Sequence, residues 1–115
     1  MAETNWDESV ILDEGHLSTF TGGDPDFENQ ILDIFLDNAP TYLTALIDVD
    51  GGNWKATAHK LKGAARSIGA WRLAREAERA EHLGAPAIDD RRRMATISEL
   101  QLRMENLVHH IKERK

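Results

Sequence analysis

The sequence contains no cysteine, which excludes a disulfide framework, a thiolate nucleophile and a Cys-ligated zinc or iron site. The fold must then rest on its apolar core, and a reducing, cytoplasmic setting is expected. No stretch approaches the roughly 20 apolar residues that span a bilayer. Nothing near the N-terminus joins a basic start to a long apolar run, so neither export nor membrane association is expected. An excess of positive charge is also lacking: 14 Lys and Arg against 20 Asp and Glu give a net charge of −6. That is the wrong sign for nonspecific nucleic-acid binding, which needs cations to displace counterions from phosphates. Strand signals are weak as well, because short β-branched alternations are missing while apolar residues recur at spacings of three and four. What remains is an all-α chain of 115 residues, enough for a single domain over 1–115 that buries about two-thirds of its unfolded surface.

Residues 5–20, with Trp6, Val10, Ile11, Leu12 and Leu17, predict one short packing helix before the Thr21-Gly22-Gly23 turn. Asp24-Pro25-Asp26 then opens a long helix, since Asp caps free amides, Pro suits the first helical position and a second carboxylate favours the dipole. Its apolar stripe is expected at Phe27, Ile31, Ile34, Phe35, Tyr42, Leu43, Leu46 and Val49, with a kink at Pro40 where an amide donor is lost. Asp50-Gly51-Gly52-Asn53 predicts the end of that helix, with glycine as a left-handed cap. A third helix follows over about 54–67, an Ile68-Gly69 break, and a fourth over about 70–83, where alanines at 70, 74, 77 and 80 permit close approach. Met94, Ile97, Leu100, Met104, Leu107 and Ile111 stripe a last helix. Four amphipathic helices over about 24–113 with short loops predict an antiparallel up-down four-helix bundle with an additional short N-terminal helix.

On a wheel of about 100° per residue, Ala58, Leu61, Ala65 and Ile68 cluster with Trp54 on the inward face of the third helix. His59 falls about 140° from Trp54, among Lys55, Lys62 and Arg66, and so faces solvent. A lone helical histidine is most often an ordinary surface residue. Two features distinguish this one. From Gly51 to Arg75 there is no carboxylate, whereas Lys55, Lys60, Lys62, Arg66, Arg72 and Arg75 all occur there. Gly63, one turn beyond His59, costs a helix interior roughly 1 kcal/mol relative to alanine. The wheel places Gly63 outward, where no neighbouring helix requires its smallness but an approaching protein would.

A neutral imidazole is nucleophilic near pH 7 and can attack a phosphoryl group while its other nitrogen keeps a proton. Lys62, three residues on and on the same face, is placed to neutralise the added charge. Counting equal distances from the turn near Gly69 sets Glu78 to Glu81 level with His59, and a carboxylate there would orient the ring. Either glutamate fits that role.

The run Ala58-His59-Lys60-Leu61-Lys62-Gly63-Ala64-Ala65, continuing through Ser67-Ile68-Gly69-Ala70 and Leu73 to Ala80-Glu81, resembles bacterial histidine phosphotransfer (HPt) domains of two-component phosphorelays. The likeness covers about residues 22–84 well and extends to the ends only in pattern. It implies that His59 accepts and donates a phosphoryl group, that Lys62 assists, that Gly63 clears the docking surface and that Glu81 contacts the imidazole. Lys55, Ala56, Lys60, Arg66 and Ser67 would then form the partner-binding surface. The implied partners are response-regulator receiver domains and a sensor or hybrid histidine kinase, with the chain itself a monomer. The receiver would bring the phosphorylated aspartate and the Mg²⁺, so no cofactor of its own is expected. Many members carry serine after the glycine, where this chain has Ala64.

No P-loop or dinucleotide-type glycine pattern is present, so a phosphocarrier is expected rather than an autokinase. Met1 close to the domain start predicts a stand-alone protein. Two rivals come from other classes. One is a docking module that uses the same face without being phosphorylated. The other is a metal-binding bundle using His16, His82, His109 and His110, disfavoured because adjacent His109 and His110 diverge by about 100° and no Glu-x-x-His pair occurs.

Overall fold

The computed structural model describes residues 5–48 and 51–114. Among these residues there are five helices and no strand: α1 (Glu14–Thr21), α2 (Pro25–Asp48), α3 (Gly51–Ile68), α4 (Trp71–His82) and α5 (Arg91–Glu113). Helices α2 to α5 form an antiparallel up-down four-helix bundle in which each packs on the next and α5 closes against α2. α1 is the additional short helix and lies across α2 and α3. None of the helices is long and apolar enough to cross a membrane.

Local chemistry sets the boundaries. Asp24 accepts from the amides of Asp26 and Phe27, which caps α2 with Pro25 in the first helical position. Gly69 ends α3 in the left-handed region at φ +80. There Ala70 donates to the Ala65 carbonyl and Gly69 to that of Arg66, a Schellman pair. α4 starts two residues later and runs back along α3. Gly69 is the position where only glycine fits, since an added Cβ would lie 3.0 Å from Asp13 Cβ and 3.1 Å from the Asp13 carbonyl oxygen.

The expected inward face of α3 is the observed one: Trp54, Ala58, Leu61, Ala65 and Ile68 are all buried, as are Ala70, Ala74, Ala77 and Ala80 across from them. Arg93, at the start of α5, ties this end of the bundle together. It lies over the Trp54 ring at 5.2 Å and donates to the Leu46 and Ile47 carbonyls near the end of α2.

Several expected details are corrected. The N-terminal helix is shorter than 5–20, because Asp13 caps it by accepting from the His16 amide. Trp6, Val10, Ile11 and Leu12 precede it in a non-helical segment whose backbone bonds elsewhere: Asp13 donates to Gly69, and Arg72 donates to Val10. In α2, Phe27 and Ile34 are exposed while Leu32 and Ala39 are buried in their place. The buried row Leu32, Phe35, Ala39, Leu43 and Leu46 keeps strict spacings of three and four, which the expected stripe did not. Gly51 and Gly52 belong to α3 rather than to a cap on α2; Val49 and Asp50 lie outside the described residues. In α5, Met94 is exposed, and Thr96 and Arg93 take the inward positions of the first turns.

Candidate functional site

Because Trp54, Ala58, Leu61, Ala65 and Ile68 hold one side of α3 in the core, the opposite side is presented to solvent. His59 stands there with its side chain 65% exposed. Its Nδ1 lies 2.8 Å from Glu81 Oε2. The second oxygen of the same carboxylate accepts from Lys62 Nζ at 2.5 Å. Burial pushes the Glu81 carboxyl up, but hydrogen bonds from Lys62 and His59 outweigh it and hold the group below its ordinary value. Glu81 is therefore ionised at neutral pH. An ionised carboxylate only accepts hydrogen bonds, so His59 Nδ1 carries the hydrogen and donates it. In the neutral ring the lone pair is then on Nε2.

The carboxylate is placed by the α3–α4 hairpin. Alanines at 70, 74, 77 and 80 bring α4 close to α3. Buried Trp54 Nε1 then donates 2.5 Å across the interface to the Ala80 carbonyl, the residue before Glu81. Glu81 sits in the last turn of α4, where the helix dipole disfavours a negative charge. Lys62 and His59 supply the compensation.

The other expected site residues divide into three groups. Lys55, Ala56 and Lys60 line one hollow together with His59 and Glu81. Gly63 has nothing within 4 Å of the position a Cβ would take, so the surface one turn above His59 is open. Arg66 and Ser67 are exposed farther along α3, with Ser67 Oγ donating to the Ala64 carbonyl. Lys62, by contrast, is turned toward Glu81 and only 18% exposed. Of the two glutamates left open by the spacing, Glu81 meets His59, whereas Glu78 is buried with Arg75 Nε 3.8 Å away.

Two features escaped sequence reasoning. An apolar groove bounded by Phe20, Ile31, Ile34, Phe35 and Tyr42 opens onto Ala64 and Ser67 of α3, beside the His59 face. Ile34 and Phe20 stand more than half exposed there. The sequence signal was the redundancy of α2, which carries more apolar residues than one stripe can bury. The second is His82, which lines a hollow with Lys55, Glu81 and Gly84. Its place one residue after Glu81 was the available clue. Among the described residues, no three His, Asp or Glu side chains converge as metal ligands.

A family model described as Hpt domain matches residues 30–113. That span takes in most of α2 and all of α3, α4 and α5, and leaves out α1 and the segment before it. No curated protein matches the chain, and no solved structure does.

Proposed function

The chain belongs to the Hpt domain family, the phosphotransfer modules of two-component signalling, and from that premise we propose that His59 is its phosphoacceptor, taking a phosphoryl group from the aspartate of one receiver domain and passing it to that of another. The observation that carries this reading is the His59–Glu81 contact: in a side chain 65% exposed, Nδ1 lies 2.8 Å from a carboxylate that Lys62 also holds, so the neutral ring keeps its hydrogen on Nδ1 and its lone pair on Nε2.

The chemistry follows from that state. Nε2 attacks the phosphorus of the aspartyl phosphate in line, the Nε2–P bond forms, and the acyl P–O bond breaks with the aspartate leaving as carboxylate. No proton has to move, because Nδ1 already holds one. The ring becomes cationic as it is phosphorylated, and Glu81 at 2.8 Å stabilises that charge. Reversal of the same steps donates the group. Lys62 keeps Glu81 ionised and fixed in place. The receiver supplies the Mg²⁺ that shields the phosphoryl oxygens, and the chain supplies no cofactor.

The receiver approaches over Gly63, with Lys55, Lys60, Arg66 and Ser67 as polar contacts and Ala56 as an apolar one. The groove of Phe20, Ile34 and Phe35 accepts an apolar element of the same domain, since Ala64 and Ser67 make it continuous with the His59 face. A histidine kinase delivers phosphate through its own receiver domain; the chain does not phosphorylate itself.

The test is transfer of label from a phosphorylated receiver domain in the presence of Mg²⁺. Wild type takes up the label and His59→Gln does not. Complex formation without any transfer to wild type would instead identify a docking module that is never phosphorylated.

A further inference from the structure

The inference concerns what holds the phosphoryl group once it is on Nε2, and it rests on the reading of His59 as phosphoacceptor. At rest, neutral His59, anionic Glu81 and cationic Lys62 sum to zero charge. The phosphoryl group brings up to about −2 on its oxygens against about +1 on the ring, so phosphorylation leaves the site with a net negative charge of about −1. Lys62 is held against Glu81 and only 18% exposed, so the balance calls for further cations. Lys62 also lines neither of the two hollows at the site.

The hollow that contains His59 and the hollow that contains His82 share two walls, Lys55 and Glu81. Lys55 lies one turn before His59 on α3 and has no hydrogen-bond or ion-pair partner among the described residues. His82 is exposed at the end of α4, where the helix dipole favours a cation. Either protonation state of an imidazole offers an N–H donor. Glu81 is the one carboxylate in these hollows, and its charge is already met by Lys62.

We propose that Lys55 and His82 are the phosphoryl-binding groups of this site, a wall across the α3–α4 groove against which a phosphoryl group on His59 Nε2 lies. Lys62 serves the carboxylate and Lys55 serves the phosphate. Lys112, exposed on α5 and lining neither hollow, is the comparison.

Phosphoramidate tests this without any partner protein. Nε2 attacks its phosphorus, the donor P–N bond breaks and ammonia leaves; phosphohistidine is followed by ³¹P NMR. Lys55→Gln and His82→Gln are each expected to slow phosphorylation by about three- to tenfold. Lys55→Arg, which keeps the charge, and Lys112→Gln on α5 are expected to stay within about twofold of wild type. All three positions are exposed, and unchanged melting curves show that the fold is intact. A wild-type rate in Lys55→Gln or His82→Gln overturns the proposal while a blank His59→Gln leaves the phosphoacceptor reading standing. Undiminished phosphorylation of His59→Gln removes that reading, and this one with it.

Discussion

Glu81 accepts from His59 through one oxygen, at 2.8 Å, and from Lys62 through the other. A single carboxylate thereby sets the imidazole tautomer, and a single lysine sets the state of the carboxylate. Removing the charge while keeping the shape tests this coupling. Glu81→Gln can still accept through its carbonyl oxygen, but it cannot stabilise a cationic ring, and its amide nitrogen repels Lys62. Transfer from a phosphorylated receiver is expected to slow roughly tenfold to a hundredfold. Rapid-quench rates measure it, and a rate within about twofold of wild type would remove Glu81 from the mechanism.

Gly63 separates stability from function. Nothing stands within 4 Å of an added Cβ, and Gly63 has no unusual φ, so Gly63→Ala is expected to stabilise the helix by about 0.5–1 kcal/mol. Gly63→Gln puts a long side chain over the open approach. It is expected to keep the reaction with phosphoramidate and slow receiver transfer about tenfold or more, since misplacement at a docking surface costs orientation. Equal slowing with both donors would show that the side chain disturbs His59 itself.

Gly69 gives the opposite result on stability. Its φ of +80 disfavours any L side chain, and the new Cβ would press on the Asp13 backbone at 3.1 Å. Gly69→Ala is expected to destabilise the fold by about 2–3 kcal/mol, from the left-handed conformation and the contact together. Urea unfolding gives the value, and a loss below about 0.5 kcal/mol would mean that the Asp13 segment yields without cost.

The α3–α4 hairpin was legible in the sequence because its signals are local. Apolar spacing set the face of α3, Ile68-Gly69 marked the turn, and counting from it put Glu78 to Glu81 opposite His59. The choice between those glutamates was not legible, since it depends on how α4 is rotated about its axis, and buried Trp54 fixes that rotation through the Ala80 carbonyl. The exposure of Ile34 was hidden for a related reason. Apolar type alone does not separate a core row from a groove, and the tighter row of Leu32, Phe35 and Ala39 took the core. Spacing set Lys62 on the side of His59, but it carried no sign that the Lys62 side chain turns to Glu81. The N-terminal segment was least legible, because its bonds run to residues more than fifty positions away.

That segment is pinned by Glu8, and its attachment is expected to depend on pH in a defined direction. Arg79 donates to Glu8 through both terminal nitrogens, at 2.6 and 2.8 Å, and Arg103 donates at 2.8 Å. The hydrogen bonds from Arg79 and then Arg103 lower the Glu8 carboxyl from 4.5 to about 2. A carboxyl depressed in the folded state stabilises it fully above the ordinary value, and that contribution is lost as the pH falls toward the folded one. The melting temperature of wild type is therefore expected to exceed that of Glu8→Gln at pH 6 to 7, with the gap closing as the pH falls from 4.5 toward about 2. Taking the difference between the two proteins cancels the other lowered carboxyls, Asp7, Asp13, Glu81 and Asp90. Trp6, stacked on Trp71 at 5.8 Å, reports the same event by fluorescence. A gap that stays constant down to pH 2 would mean that Glu8 holds the segment by shape rather than by charge.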